Sequence, residues 1–136
     1  MKRREDWPER LFDTIAEWKH RPFAWGTADC CQFMAVCVEA MTGTDPMAEY
    51  RGQYEDEASG KAVLKAKGGG SLYNALRRKF GQPIPVPMAK RGDLALAKTN
   101  VGPTTFVVLG EEMTGPGDDG LEMVSTAVAS RAFRVG

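Results

Sequence analysis

The chain has 136 residues, 43% of them hydrophobic, enough to bury one core of ordinary size and too few for two comfortable domains. Eighteen Lys and Arg balance eighteen Asp and Glu, so no net field draws it to nucleic acid or to an anionic membrane surface. No apolar run approaches the roughly 18 residues of a membrane span, and the charged start MKRREDWPER lacks the apolar stretch of a signal peptide, so synthesis in the cytosol is expected.

In chain order, Asp6 is placed to cap a first helix with Pro8 in its opening turn. Leu11, Phe12, Ile15 and Trp18 then share one face before Pro22 forbids continuation. A loop with Trp25 and Gly26 leads to Asp29, which with Gln32 makes a capping-box pattern and puts Cys30 at the first helical position. From Cys30 to Met41 nearly every position is apolar, which predicts a helix buried on most sides and closed by Gly43. Residues 55–67 read as a short helix with Ala58, Ala62 and Val63 inward. Ser71 caps the next, with Leu72, Ala75, Leu76 and Phe80 as its apolar stripe and Gly81 as its end. The segment around Pro83, Pro85 and Pro87 is expected to be extended. Strands are predicted at 93–97, 105–110, 121–126 and 131–135, with TGPGDDG (114–120) as a turn between two of them. Helices first and an antiparallel sheet after is an α+β layout, here read as a single domain over 1–136.

The three cysteines, two of them adjacent, make a poor disulfide framework, and all are expected to be reduced. A helix N-terminus stabilises a thiolate, so Cys30 is the candidate nucleophile. A cysteine hydrolase also needs an imidazole, and the single histidine, His20, lies ten residues upstream. Read by itself, His20 fits an exposed position at a helix C-terminus, and only a folded-back loop would pair it with Cys30. Cys37 reads as core. The cysteines and His20 lack the paired spacing of a zinc site, Gly68-Gly69-Gly70-Ser71 lacks the lysine of a phosphate loop, and TGPGDDG lacks the ligand pattern of a calcium loop. No metal or cofactor is expected. Arg91-Gly92-Asp93 reads as the lead into the first strand.

The capped DC helix, the RGDL strand and the strand ending VVLG together resemble the NlpC/P60 branch of the papain-like cysteine peptidases. In that branch D-C-S-G-F carries the nucleophile, P-G-D-L-V opens the sheet, and G-H-V-G-I-Y-L-G supplies the base. A closer resemblance is to a family of small bacteriophage and prophage proteins, DUF6950. It is carried from about Pro22 to Gly136 by PFAWGTADCCQF, TGTDP, RGQY, RGD, PGDDGL and AFRVG. The resemblance puts Cys30 on the nucleophile and Asp29 before it. It leaves Thr104 or Thr105 where the imidazole belongs, and Ala28 where relatives often carry a histidine. What it implies is a peptidase fold without its base, serving as a structural component of a tail tip or baseplate. The implied partners are other tail proteins, such as the tail-tip hub and the distal tail protein, and the implied location is the virion tail. An active peptidoglycan endopeptidase or amidase using Cys30, with His20 or a partner chain as base, is the alternative. A tail assembly factor is the third reading.

Overall fold

A computed structural model describes residues 1–136. Four helices come first, α1 (Trp7–Trp18), α2 (Cys30–Thr42), α3 (Glu57–Lys67) and α4 (Leu72–Phe80). Five strands follow, β1 (Leu94–Thr99), β2 (Gly102–Val108), β3 (Glu112–Gly117), β4 (Gly120–Ser125) and β5 (Arg131–Phe133), with short 3₁₀ turns at Val86–Met88 and Thr126–Val128. The strands form one antiparallel sheet in the order β4, β3, β2, β1, β5. The expected α+β order therefore holds.

The apolar run of α2 makes it the central helix. Phe33, Met34, Cys37, Val38 and Met41 are buried, packed with Leu11 and Trp18 of α1 and with Leu94, Leu96, Val107 and Phe133 on one face of the sheet. Strand alternation sends Ala95, Ala97, Phe106, Val108 and Met113 to the other face, where Ala89 and Ala129 cover them in a smaller second core. Asp29 caps α2 by accepting from the Gln32 N–H at 2.9 Å, and Gly43 ends it in the left-handed conformation with φ +82°.

Several local expectations are corrected. Asp6 makes no cap bond, because its carboxylate pairs with Arg10 one turn on, at 2.9 Å. Phe12 faces solvent with 64% of its surface exposed, leaving Leu11, Thr14 and Trp18 as the buried side of α1. Ala58 and Ala62 do not form the inward face of α3; Val63 and Leu64 are the residues that pack against the core, and the helix starts two residues later than expected, capped by Asp56 and Ser59. The proline segment is not extended throughout, since Val86–Met88 closes a 3₁₀ turn after Ile84 bridges to Ala132.

The largest correction is β3. Of the stretch read as a turn, only Asp118 and Asp119 make one; residues 114–117 belong to β3, which pairs with β4 along its whole length, through to Pro116 with Leu121 and Gly117 with Gly120. Against β2 it pairs only at Thr114 and Met113, so Pro116 falls where no bond to β2 is required. Gly115 sits close against its neighbour, for a Cβ there would lie 3.1 Å from the Phe106 ring, tighter than ordinary van der Waals contact. A strand built from Gly and Pro for contact reasons carries no strand signal of its own.

Asp93, 1% exposed, explains why RGD precedes β1. Its carboxylate accepts from Arg3 at 2.8 Å, from the Lys90 N–H at 2.9 Å and from the Val135 N–H at 3.1 Å. Arg3 also donates to the Val135 carbonyl at 2.7 Å and stacks over Trp7. One carboxylate thus ties both ends of the chain to the start of the sheet.

Candidate active site

The N-terminus of α2 faces β2 at the end of a cleft of about 620 Å³. Asp29 is buried and saturated: one oxygen takes the Gln32 N–H, the other takes the Gly26 N–H at 2.8 Å and the Tyr54 hydroxyl at 2.7 Å. It is a positioning carboxylate, holding the loop at Gly26 and the first turn of α2 together. A Cβ on Gly26 would meet the Tyr54 carbonyl at 2.8 Å, so this close approach requires glycine. Gln32 does not reach back to complete a capping box. Its side chain binds the Tyr54 hydroxyl at 3.3 Å and Arg51 instead.

Cys30 and Cys31 follow, both half-buried, both reduced and both lining the cleft. The Cys30 thiol is lowered to about 7, chiefly because Cys31 hydrogen-bonds to its ionised form, with Thr105 side-chain and backbone bonds adding to this against burial and the Asp29 charge. Cys31 is pushed the other way by the same bond and by burial. Its sulfur lies 4.0 Å from the Thr105 hydroxyl. Cys37 is fully buried and raised by desolvation alone, as a core residue should be. The backbone N–H groups of Cys30 and Cys31 have no acceptor within the chain, and unpaired amides in the first turn of a helix are suited to meet an anion.

Of the two threonines, Thr105 faces the thiols. Thr104 is the correction: it belongs to the opposite face, opposed to Ala97, and its hydroxyl bonds Thr99 at 2.9 Å. His20 does not join the site. It is exposed beyond α1, against the turn between β3 and β4, where Lys19 accepts from the Leu121 N–H at 3.0 Å. That turn lies at the far edge of the sheet from β1, and no imidazole lines the cleft. No group of three His, Cys, Asp or Glu is disposed to hold a metal ion, and no helix is long and apolar enough to cross a membrane.

A family model described as a domain of unknown function, DUF6950, matches residues 2–135. The chain belongs to the DUF6950 family. No curated protein matches it. Tyr54 and Arg51, which a search centred on the nucleophile misses, both lie in the RGQY tetrapeptide, one of the motifs that carry the family resemblance. Their bonds to Asp29 and Gln32 give that tetrapeptide a physical role. It braces the start of α2 from a loop 25 residues away in sequence for the Tyr54–Asp29 bond and 19 for the Arg51–Gln32 bond.

Proposed function

We propose that this DUF6950 chain is a structural component of a bacteriophage tail tip or baseplate, built on an NlpC/P60-like fold that keeps the nucleophile position and lacks the base. The observation that carries the reading is Thr105 beside the thiols of Cys30 and Cys31, where a hydrolase of this kind needs an imidazole. Peptide cleavage requires a group to protonate the departing amine and then to activate water, and a threonine hydroxyl does neither near neutral pH. The helix-before-sheet order and the capped Cys30 support the NlpC/P60 relation, and the ordered motif set supports the phage assignment. Tail proteins such as the hub and the distal tail protein are the proposed partners, and the virion tail the proposed location.

The depressed Cys30 thiol and the free N–H pair favour a second reading, a peptidoglycan endopeptidase or amidase whose base comes from a partner chain. Two experiments separate them. Under the structural reading Cys30→Ala gives normal particles, and purified wild-type protein clears no peptidoglycan in a zymogram. Clearing by wild type that disappears in Cys30→Ala would establish the peptidase instead. Absence of the chain from purified virions by mass spectrometry, with assembly dependent on it, would make it an assembly factor.

A further inference from the structure

The cleft beside Cys30 has mostly apolar walls. Met34, Leu64, Leu72, Leu76 and Phe80 line it between α2, α3 and α4, and Cys30 lies on the same surface. Its volume of about 620 Å³ is within the range of roughly 300–1,000 Å³ that encloses small-molecule ligands. Lys61, Lys65 and Lys79 also border it; Lys61 and Lys79 are engaged by Glu57 and Glu49, while Lys65 makes no ion pair.

We infer that Cys30 is an acyl acceptor: it takes a long-chain acyl group from an acyl thioester, with the chain lying in the apolar cleft and the carrier's anionic portion outside near Lys65. Acyl transfer between thiols is an acyl-transfer reaction that this site can complete without an imidazole. The Cys30 sulfur attacks the thioester carbonyl carbon and a new carbon–sulfur bond forms. The oxyanion is held by the unpaired N–H groups of Cys30 and Cys31. The bond to the carrier sulfur then breaks, and the carrier leaves as a thiolate that takes its proton from water. Neither sulfur changes oxidation state. An amine leaving group would need a general acid, whereas a thiolate does not. Hydrolysis of the new thioester would need a base to activate water, and Thr105 stands where that base would be. The acyl group therefore stays.

The inference rests on the same missing base as the structural reading but not on the tail assignment, which virion assembly tests separately. Incubation of the full chain with palmitoyl-coenzyme A at pH 7 should add one acyl group by intact mass, mapped to Cys30 and released by neutral hydroxylamine. Cys30→Ser should lose the hydroxylamine-sensitive product. Palmitoyl-coenzyme A should react at least about tenfold faster than acetyl-coenzyme A, the factor that burial of about two methylenes supplies. Equal rates for the two thioesters would remove the cleft from the argument and overturn the inference. No acylation of a protein whose Cys30 is readily alkylated by iodoacetamide would overturn it too, as would release of the acyl group within minutes, which would reveal a working base.

Discussion

The ionisation of Cys30 can be measured directly. Its thiol is lowered from 9.0 to about 7. At pH 7 it is then half ionised, against roughly one part in a hundred for an unperturbed thiol, a gain of about fiftyfold in thiolate. Intrinsic nucleophilicity falls with basicity by a Brønsted coefficient of about 0.4–0.5, which takes back about eightfold over that interval. Cys30 should thus react with an aromatic disulfide about sixfold faster than a free thiol at pH 7, and its rate should level off just above neutrality. The assay is stopped-flow absorbance across the neutral range, with peptide mapping to assign the modified residue. Cys31→Ala and Thr105→Val each remove a hydrogen bond to the thiolate, so both should move the midpoint upward, while Thr104→Val should leave it in place. A wild-type rate that keeps climbing well into the alkaline range, with no inflection near neutrality, would refute the reasoning. Modification of Cys31 ahead of Cys30 would refute it as well.

Three further outcomes are expected. Asp93→Ala takes the charged partner from the Arg3 guanidinium, which keeps the Val135 and Arg91 carbonyls, and strands two backbone N–H groups, of which only Val135 N–H is buried; the loss should be about 3 kcal/mol by urea unfolding. Asp29→Asn keeps an acceptor for the Gln32 N–H but sets an amide donor against the Gly26 N–H and the Tyr54 hydroxyl, so it should cost roughly 1–3 kcal/mol. Because the Asp29 charge opposes ionisation of Cys30, the same variant should lower the midpoint of the disulfide reaction. Gly120→Ala would place a Cβ 2.4 Å from the Lys19 carbonyl at φ +121°, and thermal unfolding should show a loss of roughly 2–4 kcal/mol.

Much of the helical layer was legible because its signals act within a turn or two of the chain. Asp29, the apolar run from Cys30 and the closing Gly43 define α2 without reference to anything distant, and Ser71 with Gly81 does the same for α4. The position of Cys30 at the first turn of α2 follows from that cap alone. So does the scarcity of bases follow from composition, since a chain with one histidine has few ways to supply an imidazole. The strand runs at 93–97 and 105–110 were readable from β-rich apolar composition and overlap β1 and β2, although β2 starts three residues earlier, at Gly102.

Tertiary contacts decided the rest. Whether Thr104 or Thr105 meets the thiols is a question of strand parity, which a one-residue shift reverses, and only the pairing of Thr105 with Leu96 on the helix-facing side settles it. Strand β3 forms by pairing along its length with β4 and at Met113 and Thr114 with β2, although 114–120 by itself reads as a turn. The Tyr54 hydroxyl on Asp29, the Asp93 clamp on Arg3 and Val135, and the apolar cleft all join residues far apart in sequence. Local propensity reports only on the nearest few residues. Sequence alone therefore determined where Cys30 stands, and the packing of β2 against α2 determined that Thr105, not Thr104, stands opposite it.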